Sequence, residues 1–192
     1  RLNIAGAEPQ LCRSVLEIAS VKLNVTMQNL SKRAADAIVI MMNPGSSSPV
    51  GLDPCIAYNK KSIAKLVPLL VDTKPDPTQY QIMRIMAIKE WKHARVINLS
   101  DLRTPQSEEL FKVLRKTSSD QHSSFAEVRN AELNMMLKRK DGAPIICAWG
   151  TNNELIPLIK KAMQALKGTR IAGFKKVGTE YFYYHPMPKN HY

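Results

Sequence analysis

The residues best equipped for chemistry in this chain are amides, a histidine and carboxylates, each set just past an apolar run. Asn43 opens the stretch Asn43-Pro44-Gly45-Ser46-Ser47-Ser48, Asn98 lies in Arg95-Val96-Ile97-Asn98-Leu99 with Asp101 just beyond, and His185 stands on a proline-flanked loop. An amide offers one donor and one acceptor, enough to tell pyrimidines apart by the pattern along one edge. A histidine can donate a hydrogen bond to an oxygen that gathers negative charge as a bond breaks. Neither Asn43 nor His185 needs a metal or other cofactor for such work. Cys12, Cys55 and Cys147 are odd in number and scattered, with no C-x-x-C pair, which argues against a disulfide framework and against zinc or iron–sulfur sites.

Positioning such groups is the task of the apolar runs before them. Ala37-Ile38-Val39-Ile40-Met41-Met42 is unbroken and ends at Asn43-Pro44-Gly45, the pattern of a central strand buried on both faces. Two similar runs, Arg95-Val96-Ile97-Asn98-Leu99 and Pro144-Ile145-Ile146-Cys147-Ala148-Trp149, alternate with helices expected over residues 78–91 and 153–166. Alternation of strand and helix predicts an α/β fold, a three-layer α/β/α sandwich with a mostly parallel central sheet, because parallel strands need crossover connections. Such a sheet gathers functional residues at the carboxyl ends of its strands, where Asn43, Asn98 with Asp101, and Gly150-Thr151-Asn152 would converge. Residues 116–124 read as a polar, mobile loop and 127–140 as a helix with a basic end; 13–23 fit either an edge strand or a helix. The stretch Tyr181-Phe182-Tyr183-Tyr184 fits a last buried strand or a set of stacking faces.

A length of 192 residues suits one domain with a hydrophobic core. Lys and Arg number 28 against 16 Asp and Glu, a net charge of +12 and a pI near 9.7, which favours a polyanionic partner, nucleic acid first. No apolar run approaches the roughly 20 residues that span a bilayer, and residues 1–10 lack the features of a signal peptide, so a soluble, cytoplasmic and monomeric protein is expected.

Four segments in order resemble the active-site motifs of the uracil-DNA glycosylase-like superfamily. Met41-Met42-Asn43-Pro44-Gly45-Ser46-Ser47-Ser48 is similar to the G-I-N-P-G-x-S-S motif of the mismatch-specific and thymine-DNA glycosylases, and Val96-Ile97-Asn98-Leu99 resembles the strand whose asparagine reads the flipped base. Ile146-Cys147-Ala148-Trp149-Gly150 resembles the apolar strand ending in Leu-Trp-Gly, and His185-Pro186-Met187-Pro188-Lys189-Asn190 the H-P-S-P-L-S loop. Any one is a common turn, whereas four in register carry weight. Together with Asp53-Pro54, the pattern also resembles an uncharacterised bacterial and phage family of that superfamily, over roughly residues 37–191.

The resemblance implies a monofunctional DNA glycosylase acting on duplex or single-stranded DNA. Asn43 would hold the water and His185 would face the base carbonyl. Gly45, Ser46, Asn98 and Asp101 would line the base pocket, and Ser47, Ser48, Lys189, Asn190 and His191 would meet the nucleic acid. Three departures sharpen that expectation. Asn43 stands where the uracil-specific enzymes carry an aspartate, which implies a slower enzyme or one that recruits another carboxylate, Asp53 before Asp101. Gly45 stands where those enzymes carry a tyrosine that excludes substituted rings, which predicts a pyrimidine bearing a substituent, from a mismatched thymine to a bulky modified cytosine of phage DNA. Lys189 replaces the apolar wedge and points to phosphate contact. Base excision repair and defence against phages would both use such an enzyme. The alternatives are a non-catalytic nucleic-acid-binding module of the same fold and a nucleoside or nucleotide N-glycosidase.

Overall fold

In the computed structural model, which describes residues 10–51, 56, 58 and 62–187, the Ala37–Met41 run forms strand β2 with every residue buried. It lies in the middle of a five-stranded sheet with β1 (Val15–Ala19), β5 (His93–Asn98), β6 (Ile145–Ala148) and β7 (Ile171–Ala172), in the order β1-β5-β2-β6-β7. A separate two-stranded ribbon pairs β3 (Ser48–Pro49) with β4 (Thr73–Lys74). Strands β5, β2, β6 and β7 run parallel, and β1 adds an antiparallel edge with Glu17 opposite Arg95. The sheet is therefore mixed but mostly parallel, as the alternating pattern predicts. The segment that fitted strand or helix is that edge strand, and it points a buried charge inward.

Side chains alternate across the pleat, so each face has its own core. On one face Leu16, Ile18, Val39, Met41 and Val96 pack against Ile82 and Met86 of helix α2 (Pro77–Ile88), which follows the short α1 (Met27–Leu30) in the chain. On the other, Ile38, Ile40, Ile97 and Cys147 pack against α3 (Ser107–Lys116), α4 (Asn130–Met136) and α5 (Ile156–Ala165) through Leu110, Phe111, Leu133, Leu158 and Ile159. Trp149 is fully buried in this second core, as its size leads one to expect. Helix α3 was not anticipated from the sequence, although Leu110, Val113 and Leu114 share a face, with Glu108 and Glu109 in the first turn and Arg115 and Lys116 in the last, matching the helix dipole.

Two expectations about the middle of the chain are corrected. The helix expected over 127–140 is a 3-10 turn (Glu127–Arg129) followed by α4, which stops at Met136 because the buried Arg95 takes the carbonyls of Met135, Met136 and Lys138. The chain beyond then pairs with Ala35, through Lys140 N–H to Ala35 O at 2.9 Å. Residues 121–124, expected in a mobile loop, are buried despite their polarity. They fold inward because partners await them: His122 O accepts Asp101 N–H at 2.7 Å, and Gln121 O accepts from Arg129.

The chain leaves β2 toward the α2 face but leaves β5 and β6 toward the opposite face. Neighbouring strands whose connections part in this way leave a crevice at their carboxyl ends. Leu99 N–H bonds Met41 O and Ser100 N–H bonds Met42 O, which carries the β2–β5 pairing to the edge of that crevice. Among the described residues no helix is long and apolar enough to cross a membrane.

Candidate functional site at the carboxyl end of the sheet

The chain turns sharply after β2, and the turn is held by side-chain amide and guanidinium groups. Asn43 Nδ2 donates to the carbonyls of Leu102 and Thr104 at 3.2 and 2.9 Å and reaches Thr104 Oγ1 at 3.0 Å. The nitrogen thereby staples the β2 turn to the loop after β5, leaving Oδ1 as the amide atom with capacity to accept from a water. Arg13, just before β1, donates from Nη2 to the Pro44 carbonyl at 3.2 Å. Gly45 has φ of +66°, a left-handed conformation that glycine adopts without cost. A Cβ there would stand 3.2 Å from Asp76 Oδ2, so the space that glycine opens is bounded by a carboxylate.

The serines after the turn separate. Ser46 is exposed, whereas Ser47 is buried and donates from Oγ to Lys74 O at 3.0 Å. Ser48 lies in β3, opposite Lys74. Their first role is to tie down the ribbon that leads to α2. Asp53, Lys189, Asn190 and His191 lie outside the described residues.

Asn98 closes β5, opposite Met41 on β2. It is 0% exposed, and neither Nδ2 nor Oδ1 has a hydrogen-bond partner. A buried polar group left unpaired costs about 1–3 kcal/mol, so this amide is held at a loss that local packing does not explain. Asp101 is different. It is buried and already engaged, with Arg129 Nη1 at 2.6 Å from Oδ2 and Ser124 Oγ at 3.3 Å from Oδ1. Burial pushes its carboxyl up to about 7 against the pull of Arg129, which also binds Glu132. Asp101 thus acts as a strut of this end of the sheet, with both of its oxygens engaged.

The last described segment brings His185 to the same end. Gly150 N–H bonds Tyr183 O at 2.8 Å and Tyr184 N–H bonds Phe174 O at 2.8 Å, so this chain lies beside the end of β6. Trp149 Nε1 donates to Tyr181 O at 2.9 Å and its ring meets Tyr183 edge-on at 5.4 Å. Tyr183 is buried and bridges to Gly150 and Lys175, while Tyr184 is exposed, so the aromatic stretch splits between core and surface. His185 Nδ1 accepts the Met187 N–H at 3.1 Å. The same Nδ1 lies 3.3 Å from Met187 O, so the ring's tautomer decides which of the two contacts is made; with Nδ1 accepting, the proton sits on Nε2. Burial lowers the pKa of His185, opposed by its contact with Met187 and by the negative charge of Asp76.

Asp76 is the residue that sequence reading missed. It caps α2, accepting Gln79 N–H on Oδ1 at 3.0 Å, with Pro77 at the first helical position. That cap was legible as Asp-Pro before a helix; its nearness to Gly45, 31 residues earlier in the chain, was not. The Asp76 charge also acts on Arg13, whose pKa burial lowers to about 10 with the nearby Arg103 contributing. Beside it, Arg13 and Gln79 help line a cavity of about 450 Å³ between β1 and α2, in which Arg13 Nε and Nη1 and Gln79 Nε2 lack partners. Among the described residues no group of three or more His, Cys, Asp or Glu could hold a metal.

Fold and site together define an α/β protein with a mixed, mostly parallel sheet and with Asn43, Asn98 and His185 at the carboxyl ends of its inner strands. The profile of a family described as protein of unknown function (DUF1643) matches residues 70–187, and the chain belongs to that family. The match takes in α2, β5, β6 and His185, while Asn43 and Gly45 precede it. No curated protein and no solved structure matches the chain.

Proposed function

We propose that this protein is a monofunctional DNA glycosylase with a uracil-DNA glycosylase-like fold, which excises a substituted pyrimidine by hydrolysis and leaves an abasic site. The observation that carries the reading is the Asn98 amide, wholly buried at the crevice with both of its polar atoms unpaired. A flipped pyrimidine would supply the missing acceptor and donor together, relieving a cost the protein otherwise bears. In the tautomer whose Nδ1 accepts the Met187 N–H, the Nε2–H of His185 suits the developing charge on the base, and Asn43 Oδ1 suits a water. The net charge of +12 suits a phosphate backbone. Because the amide has no exposure, a base reaches it only if the groups above it move, so binding and opening are coupled.

The commitment of Asn43 Nδ2 to Leu102 and Thr104 favours a second reading, a nucleic-acid-binding module in which the first motif is purely structural. One assay separates the two. The protein is incubated with duplex and single-stranded DNA carrying uracil, mismatched thymine, oxidised methylcytosine, hydroxymethylcytosine or its glucosylated form, and abasic sites are revealed by alkali. Release abolished in both Asn98→Ala and His185→Ala supports the enzyme and names the base. Tight, salt-sensitive binding without release from any of these substrates supports the module. The identity of the released base would also decide between repair and defence against modified phage DNA.

A further inference from the structure

An amide can hold a water but is a poor acceptor for its proton, and the first motif offers only the amide of Asn43. The geometry points to Asp76. Its Oδ1 is held by the Gln79 N–H at 3.0 Å, while Oδ2 lies against the Gly45 turn, 3.2 Å from where a side chain at that position would begin. The residue is half-buried rather than sealed, and its charge reaches both His185 and Arg13. Two features keep it in place: the helix cap on one side, and on the other the turn that Arg13 and Asn43 clamp.

We propose that Asp76 is the general base of this site, with Oδ2 taking the proton of the attacking water. The proposal rests on the glycosylase reading above. In the step, the water oxygen bonds to C1′ of the sugar as the bond from C1′ to the base nitrogen breaks. The electron pair of that bond leaves with the base, whose anion the His185 Nε2–H stabilises, and the water proton passes to Asp76 and then to solvent. Nothing is oxidised or reduced. Gly45 acquires a reason in this arrangement: a side chain there would push against the carboxylate and displace it.

The decisive variant is Asp76→Asn, because asparagine caps a helix as well as aspartate and the fold is spared while the base is lost. Single-turnover release from the responsive duplex should fall by about 100-fold or more, with duplex affinity and melting temperature unchanged. The histidine resonances of the same variant, followed by NMR, should show His185 titrating at lower pH than in wild type, since a neighbouring negative charge has gone. Undiminished release in Asp76→Asn overturns the proposal and leaves the glycosylase reading standing. An unmoved His185 overturns it too, by removing the juxtaposition on which it depends. No release by the wild-type protein from any substrate overturns the reading and the proposal together.

Discussion

Arg95 and Asn98 lie three residues apart on β5, both fully buried, and they are treated in opposite ways. The Arg95 guanidinium donates to Glu17 at 2.7 Å and to the carbonyls of Leu30, Ser31, Arg33, Met135, Met136 and Lys138. It thereby joins the ends of α1 and α4 to the sheet. Glu17 also takes His93 Nε2 at 2.7 Å, and His93 Nδ1 is the one unpaired atom in this group. Asn98 has no partner at either polar atom. A buried charge is tolerated where its donors are matched, as those of Arg95 are, whereas a side chain with neither polar atom matched marks where a ligand is expected. The contrast separates polar residues that build the fold from those held ready for chemistry.

Breaking the satisfied end should cost most. Arg95→Met leaves Glu17 buried without its charged partner and frees the helix-end carbonyls, so urea unfolding should show a loss of about 3–5 kcal/mol. Arg95→Lys should recover little of it, because an ammonium cannot reproduce the fork of a guanidinium. A loss below about 1 kcal/mol for either variant would show that Arg95 is not the pin described here.

The next effect lies between the two ends. Gly173 has φ of +140°, and a Cβ there would stand 2.4 Å from Cys147 O and 2.8 Å from the Tyr183 ring. Gly173→Ala should destabilise by about 1–3 kcal/mol. It should also shift the segment that carries His185, so DNA binding or base release should fall further than the stability loss explains. Equal melting temperatures for mutant and wild type would refute the close approach.

A smaller, pH-dependent effect belongs to the buried segment around residue 122. His122 is buried with Nδ1 3.0 Å from Ser100 Oγ, and burial pulls its pKa down to about 4, with Arg129 and Lys161 adding to the fall and Asp120 opposing it. The unfolded chain therefore binds a proton that the folded one refuses between about pH 6.5 and 4. Its contribution to stability is complete above pH 6.5 and is lost as the pH falls toward 4. His122→Gln should flatten the acid side of the stability curve by on the order of 1–2 kcal/mol, measured by denaturant midpoints at pH 7 and pH 5. An unchanged difference between the two midpoints would mean that His122 is solvated.

These contacts mark the boundary of what could be read from the chain. Strands β2, β5 and β6 were legible because an unbroken apolar run has little use other than a strand buried on both faces. Asn43, Asn98 and His185 were legible as polar residues at the ends of such runs. The burial of Arg95 could not be read locally, since its partners come from three distant segments. Residues 121–124 looked exposed because polarity is local information, whereas the groups that satisfy it, on Asp101 and Arg129, become neighbours only in the fold. Asp76 was hidden for the same reason: helix capping is written locally, and contact with the Gly45 turn is not.

The smallest change in stability should come from the residue with the most functional weight, and its sign is what tests the contrast along β5. Asn98→Leu replaces an unpaired amide by an apolar group of similar volume in the apolar neighbourhood of Met41 and Val96. If the amide is held at a loss, removing it should leave unfolding free energy unchanged or raise it by up to about 1 kcal/mol. Base release, under the glycosylase reading, should vanish in the same variant, while salt-sensitive DNA binding through the phosphates persists. A clear destabilisation, above about 2 kcal/mol, would mean that Asn98 has structural partners after all. The two ends of the strand would then be alike, and the crevice would lose its strongest claim to a ligand.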